Sequence, residues 1–317
     1  MSGALLEVRD LCVRFGAFAA VEDVSFDLAA GETVGLVGES GCGKSTLARA
    51  ILRLIPASGG SVKWDGADLL ELDAAALRRR RRHVQMVFQD PLASLDPRMT
   101  VGESLAEPLE IFEPALTKPE RRSRTLHMLE RVGLAAEMLH RYPHEFSGGQ
   151  CQRIGIARAM MLRPKLLICD EPVSALDVSI QGQIVNLLRD LQGEFGTAML
   201  FISHNLAVVR HLSHRVLVMY AGRLVEAAAR DALFAAPVHP YTCALLAAVP
   251  DPARAPAGTA QDAFAESPPA GRVRSGCAYR GRCAYAAAAC ALEAPGLEQI
   301  GAQHAVACHR RRELVYS

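Results

Sequence analysis

The chain has 317 residues, half of them apolar, with Lys+Arg 35 against Asp+Glu 34 and a formal net charge of +1. That length gives room for about two domains with sizeable cores, and the balanced charge excludes a global electrostatic pull toward nucleic acid. The apolar runs are too short for the roughly 20 residues of a membrane span, and Met1–Val8 lacks the basic and apolar regions of a secretory signal, so a cytosolic protein is expected.

Short apolar runs predict buried strands at Thr33–Val37, Val84–Phe88, Leu166–Cys169, Ala198–Ile202 and Val216–Met219. Helical patterns fall at Ser45–Leu54, Gln150–Leu162 and Ile180–Phe195. Strand alternating with helix argues for an α/β fold around a mostly parallel sheet. From about Asp90 to Arg141 helical periodicity with Pro breaks replaces the strand signal, which predicts a helical insertion. Arg78–Arg82 reads as a solvated helix face, since one short basic run is weak evidence for nucleic acid. After about Ala232 the pattern gives way to Pro, Ala and Gly over Asp251–Gly271, a linker, and then to a tail holding Cys277, Cys283, Cys290 and Cys308.

Gly38-Glu39-Ser40-Gly41-Cys42-Gly43-Lys44-Ser45-Thr46 fits the phosphate-loop pattern at every fixed position, between a predicted strand and a predicted helix. Its glycines let backbone N–H groups turn toward phosphate oxygens. Lys44 is expected at the β- and γ-phosphates and Ser45 on Mg²⁺. Leu166–Cys169 ends in Asp170 and Glu171. Asp170 is the candidate for holding Mg²⁺ and Glu171 for polarising the attacking water. Gln89 and His204 also follow predicted strands. In an open parallel sheet ligands bind outside the carboxyl ends of the strands, so Lys44, Gln89, Asp170, Glu171 and His204 are expected to converge on one edge. Phe146-Ser147-Gly148-Gly149-Gln150 adds a second set of N–H groups at a helix start, hence a second place for phosphate.

Together these residues resemble the ATP-binding-cassette ATPases. Phe146–Gln150 looks like that family's signature, with Phe where Leu is usual, and Ser174-Ala-Leu-Asp177 looks like its D-loop. Gln89 is similar to the Q-loop glutamine, His204 to the switch histidine, and Phe15 falls where the family places an aromatic ring against adenine. The resemblance covers roughly residues 5–232. It implies a P-loop NTPase (RecA-like) core with an antiparallel β edge, and a nucleotide-binding domain over 1–232 with a helical subdomain at about 90–158. It further implies Mg²⁺ held by Ser45, Gln89 and Asp170, ATP shared head to tail between two cassettes so that Ser147, Gly148, Gly149 and Gln150 act in trans, and Asp177 as the D-loop acid.

Phe88–Arg98, Pro172–Gln181 and His239-Pro-Tyr-Thr242 followed by Ala244–Pro250 are similar to the ATPase subunits of bacterial dipeptide and oligopeptide importers, in wording closest to the "F" partner of a non-identical pair. That resemblance implies a second ABC ATPase, two transmembrane permeases, an extracytoplasmic binding protein acting indirectly, and a peripheral place on the cytoplasmic face of the inner membrane. Nickel chelates and glutathione are alternative cargoes. A non-transport cassette acting as a mechanical head is the competing class, although this chain has neither a long coiled coil nor a second cassette.

The four tail cysteines, in a C-terminal extension over 233–317, are soft ligands that suit Zn²⁺ or an iron–sulfur cluster. The importer resemblance favours a [4Fe–4S] cluster on Cys277, Cys283, Cys290 and Cys308, with His309 as a substitute ligand. Two departures from the subfamily stand near the site: Cys151 after the signature and Asn205 after the switch histidine.

Overall fold

The structure is a computed structural model that describes residues 3–248 and 275–313. The linker expected over Asp251–Gly271, and Pro250 of the importer motif, lie outside them. In chain order the elements are β1 (Leu6–Phe15), β2 (Phe18–Leu28), β3 (Thr33–Val37), α1 (Lys44–Ile51), β4 (Gly59–Trp64), β5 (Ala67–Asp68), α2 (Ala74–Arg81) and β6 (Val84–Val87). There follow α3 (Val101–Phe112), α4 (Lys118–Arg131), α5 (Gly148–Met160), β7 (Leu166–Asp170), α6 (Val178–Phe195), β8 (Ala198–Ile202), α7 (Leu206–Leu212) and β9 (Arg215–Tyr220). The chain continues with β10 (Arg223–Ala229), α8 (Arg230–Ala235) and α9 (Pro240–Ala247), and the tail supplies α10 (Ala289–Leu292), β11 (Glu298–Gly301) and β12 (His304–Val306).

The chain divides into two compact units. The first is built from Met1–Leu6, Leu28–Thr33 and Lys63–Ser203. In it β6, β7 and β8 run parallel, with Val87 opposite Cys169 and Asp170 opposite Ile202. Every residue of β7 and β8 is buried, the pattern of parallel strands covered on both faces. The expected insertion is helical: α3 and α4 each start on a capping box, Thr100 with Glu103 and Thr117 with Glu120. Within α2 no residue is buried, so the arginine run is the solvated face the sequence predicts.

The second unit comprises Glu7–Asp27, Val34–Val62 and His204–Ser317, as far as these are described. Alternate residues of β1 are buried, so one face packs and the other meets solvent. β3 runs parallel to β9, and β10 antiparallel to β9. The cysteine-rich tail extends this sheet: β12 pairs antiparallel with β10, Ala305 opposite Ala227, and β11 pairs outside it. Those tail strands cover a sheet edge that would otherwise present unpaired backbone groups. No helix among the described residues is long and apolar enough to cross a membrane.

Candidate functional site

The phosphate loop leaves the carboxyl end of β3 and runs into α1. Its turn is set by glycine at two points. Gly43, the residue before α1, has φ 110, and a side chain there would strike the carbonyl oxygen of Ala20; Gly38 has φ 155, and a side chain there would strike the carbonyl oxygen of Met219. Lys44 is almost wholly buried, and its ammonium donates to the carbonyl oxygens of Gly38 at 2.7 Å and Glu39 at 2.9 Å. Those bonds draw the charge across the mouth of the loop. The turn after β9 braces the far side, Gly222 N–H donating to the Cys42 carbonyl oxygen at 2.8 Å. Burial pushes the Cys42 thiol up, so it stays a neutral wall of the loop. Phe15, at the end of β1, is 54% exposed, an open aromatic face.

In the other unit β6, β7 and β8 end on one edge. Asp170 is the last residue of β7 and is buried, and Gln89 lies two residues beyond β6 and is exposed. Glu171 follows at φ 47, a left-handed conformation that a side chain adopts at a cost, and its N–H donates to the Ile202 carbonyl oxygen at 3.0 Å. His204 comes two residues after β8 and is exposed. The structure thus brings Gln89, Asp170 and Glu171 to one sheet edge and sets Lys44 and Ser45 at the start of α1.

The signature forms a capping box on α5. Ser147 Oγ accepts from Gln150 N–H, and Gln150 Oε1 accepts from Ser147 N–H at 3.0 Å. Ser147 and Gly148 are exposed, and a side chain at Gly148 would face Leu176 of the D-loop at 3.7 Å. Asp177 caps α6 by position but with no side-chain hydrogen bond, and is exposed. Both departures have a local explanation. Cys151 is buried beneath the signature, its thiol donating to the Pro143 carbonyl oxygen at 3.5 Å, so it presents nothing to a neighbour. Asn205 is the N-cap of α7 and accepts from the N–H groups of Ala207 and Val208, a task Asn and Asp perform equally well.

The tail cysteines differ from expectation. Burial pushes the Cys277, Cys283 and Cys308 thiols up, and the charges of other cysteines of the set add to this for all three, so the four are neighbours. Among the described residues, however, no group of three or more His, Cys, Asp or Glu is arranged to hold a metal ion. The [4Fe–4S] cluster expected on Cys277, Cys283, Cys290 and Cys308, and its Zn²⁺ alternative, therefore lack a ligand set in this geometry. His309 Nε2 lies 2.8 Å from the Glu293 carbonyl oxygen instead.

Two residues not expected at the site meet the phosphate loop. Tyr241 Oη accepts from Glu39 N–H at 2.8 Å, and Arg282 reaches the Glu39 carboxylate at 3.0 Å. The signal for the first was present in His239-Pro-Tyr-Thr242: a tyrosine in an apolar helix needs a partner for its hydroxyl.

Residues 21–174 match the ABC transporter family, and residues 225–290 match the oligopeptide/dipeptide transporter C-terminal region. The chain is 52% identical to the oligopeptide transport ATP-binding protein OppF of Salmonella typhimurium, over 96% of this chain and 95% of that protein. The protein of the same name from Haemophilus influenzae is also 52% identical, over 96% of both. Among solved structures, a dimeric ATP-binding cassette in a post-hydrolysis state bound to ADP and Pi is similar with a TM-score of 0.65 at 29% identity, covering 71% of this chain and 98% of that one. By these matches the chain belongs to the ABC transporter family, among its oligopeptide transport ATP-binding proteins.

Proposed function

We propose that this chain is the ATP-hydrolysing subunit of an importer of di- and oligopeptides, acting at a cassette dimer on the cytoplasmic face of the inner membrane. The phosphate loop carries the reading: a glycine-shaped turn enters α1 with the Lys44 ammonium drawn across its mouth by two loop carbonyls. Relatives named for oligopeptide transport, matched over nearly the whole chain, support the cargo class over nickel or glutathione.

In this reading residues 1–232 are the nucleotide-binding domain and 233–317 its extension. Loop N–H groups and Lys44 bind the β- and γ-phosphates, and Phe15 stacks on adenine. Ser45, Gln89 and Asp170 are the residues that would hold Mg²⁺, whose charge neutralises phosphate oxygens. Glu171 polarises the attacking water and His204 meets the γ-phosphate. Ser147–Gln150 serve the nucleotide of a second, non-identical ATPase, with Asp177 of the D-loop on the same surface. Support for that pairing is the exposure of Ser147, Gly148 and Asp177 beside Val178, an apolar side chain left 85% exposed. The Gln89 region passes closure of the dimer to two membrane permeases, which an extracytoplasmic binding protein supplies. No metal is assigned to the tail cysteines.

Purification of the tagged chain from membranes tests the assignment. The expected outcome is recovery with one further cassette and two multi-span membrane proteins. Recovery with DNA or ribosomes and no membrane protein would replace it with the mechanical-head class.

A further inference from the structure

The extension reaches the phosphate loop through two side chains, and both end on Glu39. Tyr241 is 0% exposed and lies on α9, packed against the rings of Tyr220 at 4.6 Å and Tyr279 at 5.5 Å between centroids. Its hydroxyl receives the Glu39 N–H at 2.8 Å. Burial pushes that hydroxyl well above the ordinary tyrosine range, so it stays neutral. Arg282, in the turn after Tyr279, places Nη1 3.0 Å from Glu39 Oε2, with its guanidinium 5.7 Å from the centre of the Tyr279 ring. The second carboxylate oxygen, Oε1, is buried with no hydrogen-bond partner among the described residues, so the Arg282 contact is what holds this carboxylate.

Tyr241 is itself anchored from below. Glu226, wholly buried on β10, accepts from the N–H groups of Val238 at 2.8 Å and His239 at 2.9 Å, and meets His304 Nε2 of β12 at 2.7 Å. His239 caps α9 by accepting the Tyr241 N–H on Nδ1, and Pro240 opens the helix at the position where a missing N–H costs nothing. The start of α9 is therefore fixed to the sheet, and the ring of Tyr241 is aimed from a rigid base.

We propose that Tyr241 and Arg282 are positioning residues for the nucleotide: the C-terminal extension holds Glu39 so that the phosphate loop is ordered before ATP arrives, and neutralises a carboxylate that would otherwise face the phosphates. The inference rests on the reading of Gly38–Thr46 as the phosphate-binding loop. Glu39 is held at three points: its N–H by Tyr241, its carboxylate through Oε2 by Arg282, and its carbonyl by Lys44. Ordering a glycine-rich loop costs conformational entropy, and a loop already ordered does not charge that cost to ligand binding. Neither residue is placed among the groups that act on the attacking water, so the effect falls on nucleotide affinity.

The test uses the full-length chain and three variants: Tyr241→Phe, Arg282→Met, and Arg282→Met combined with Glu39→Gln. ATP affinity is read with a fluorescent ATP analogue, and KM and kcat in the reconstituted complex. Loss of one hydrogen bond or one charge-assisted contact predicts a rise in KM of roughly three- to tenfold for each single variant, with kcat held. Glu39→Gln restores most of the affinity lost in Arg282→Met, because it removes the carboxylate charge that Arg282 balances. Unchanged affinity in both single variants overturns the proposal, as does a fall in kcat and affinity together with no rescue by Glu39→Gln. A wild-type chain that fails to bind ATP overturns the phosphate-loop reading with it, whereas wild-type binding with indifferent variants overturns this inference alone.

Discussion

The N–H of Glu171 donates to the carbonyl oxygen of Ile202 at 3.0 Å while Glu171 itself sits at φ 47. A side chain in that left-handed conformation costs about 1 kcal/mol or more, and the bond to the end of β8 is what holds it there. Glu171→Gln preserves shape and removes the carboxylate proposed to polarise the attacking water. ATP turnover is expected to fall roughly 10²- to 10⁴-fold with ATP binding retained, checked by phosphate release and nucleotide titration on the same preparation.

Ser147 has two separable duties. As the cap of α5 its hydroxyl accepts from Gln150 N–H, and Ser147→Ala should cost about 1 kcal/mol of stability. In the proposed function it serves a partner's nucleotide, which predicts that turnover falls at least roughly tenfold while ATP binding at Lys44 persists. Ser147→Asn keeps the cap: thermal unfolding should return to the wild-type midpoint and turnover should not.

Cys151 is a core residue despite its place beside the signature. Burial pushes its thiol up, and the sulfur lies on the Pro143 carbonyl oxygen. Cys151→Ala is expected to cost about 1 kcal/mol through the lost sulfur contacts and to leave turnover unchanged. In the native protein the Cys151 thiol should resist alkylation that reaches it after unfolding. Fast labelling in the native state would contradict the burial.

His239 makes the extension acid-sensitive. Burial pushes its ring down to about 4, only partly opposed by the nearby Glu226 carboxylate. The unfolded chain therefore binds this proton first, near pH 6.5. The resulting stability is fully present above about pH 6.5 and is lost as pH falls toward about 4, in total on the order of 3 kcal/mol. His239→Asn keeps a cap acceptor on α9 and should flatten this part of the profile, measured by denaturant unfolding from pH 7 to pH 4.

The parts of the fold visible in the sequence were those whose signal is local. Thr33–Val37 and Ala198–Ile202 match their strands to the residue, since a strand buried on both faces is a continuous apolar run. The glycine pattern of Gly38–Thr46 and the two acids after Leu166–Cys169 are local signals as well. By contrast, β11 is exposed at all four positions and β12 has three residues, so neither carries a pattern. The apolar run Val84–Phe88 outlasts β6 by one residue, because Phe88 is apolar yet 40% exposed past the strand's end. The bond between Glu39 and Tyr241 joins positions 202 apart, and no periodicity reports such a pair. Four soft thiolates in a short tail suggest a metal centre, but their number does not set the geometry around a metal.

The central claim is that ATP hydrolysis at this chain drives peptide uptake. Its direct test is a proteoliposome assay with the full-length chain, its partner ATPase, the permeases and a peptide-loaded binding protein, reading phosphate release and labelled peptide together. Both signals should depend on peptide, and both should be lost with Lys44→Ala or Glu171→Gln in this chain. Peptide accumulation that persists with both residues replaced, or ATP turnover indifferent to peptide, would contradict the account.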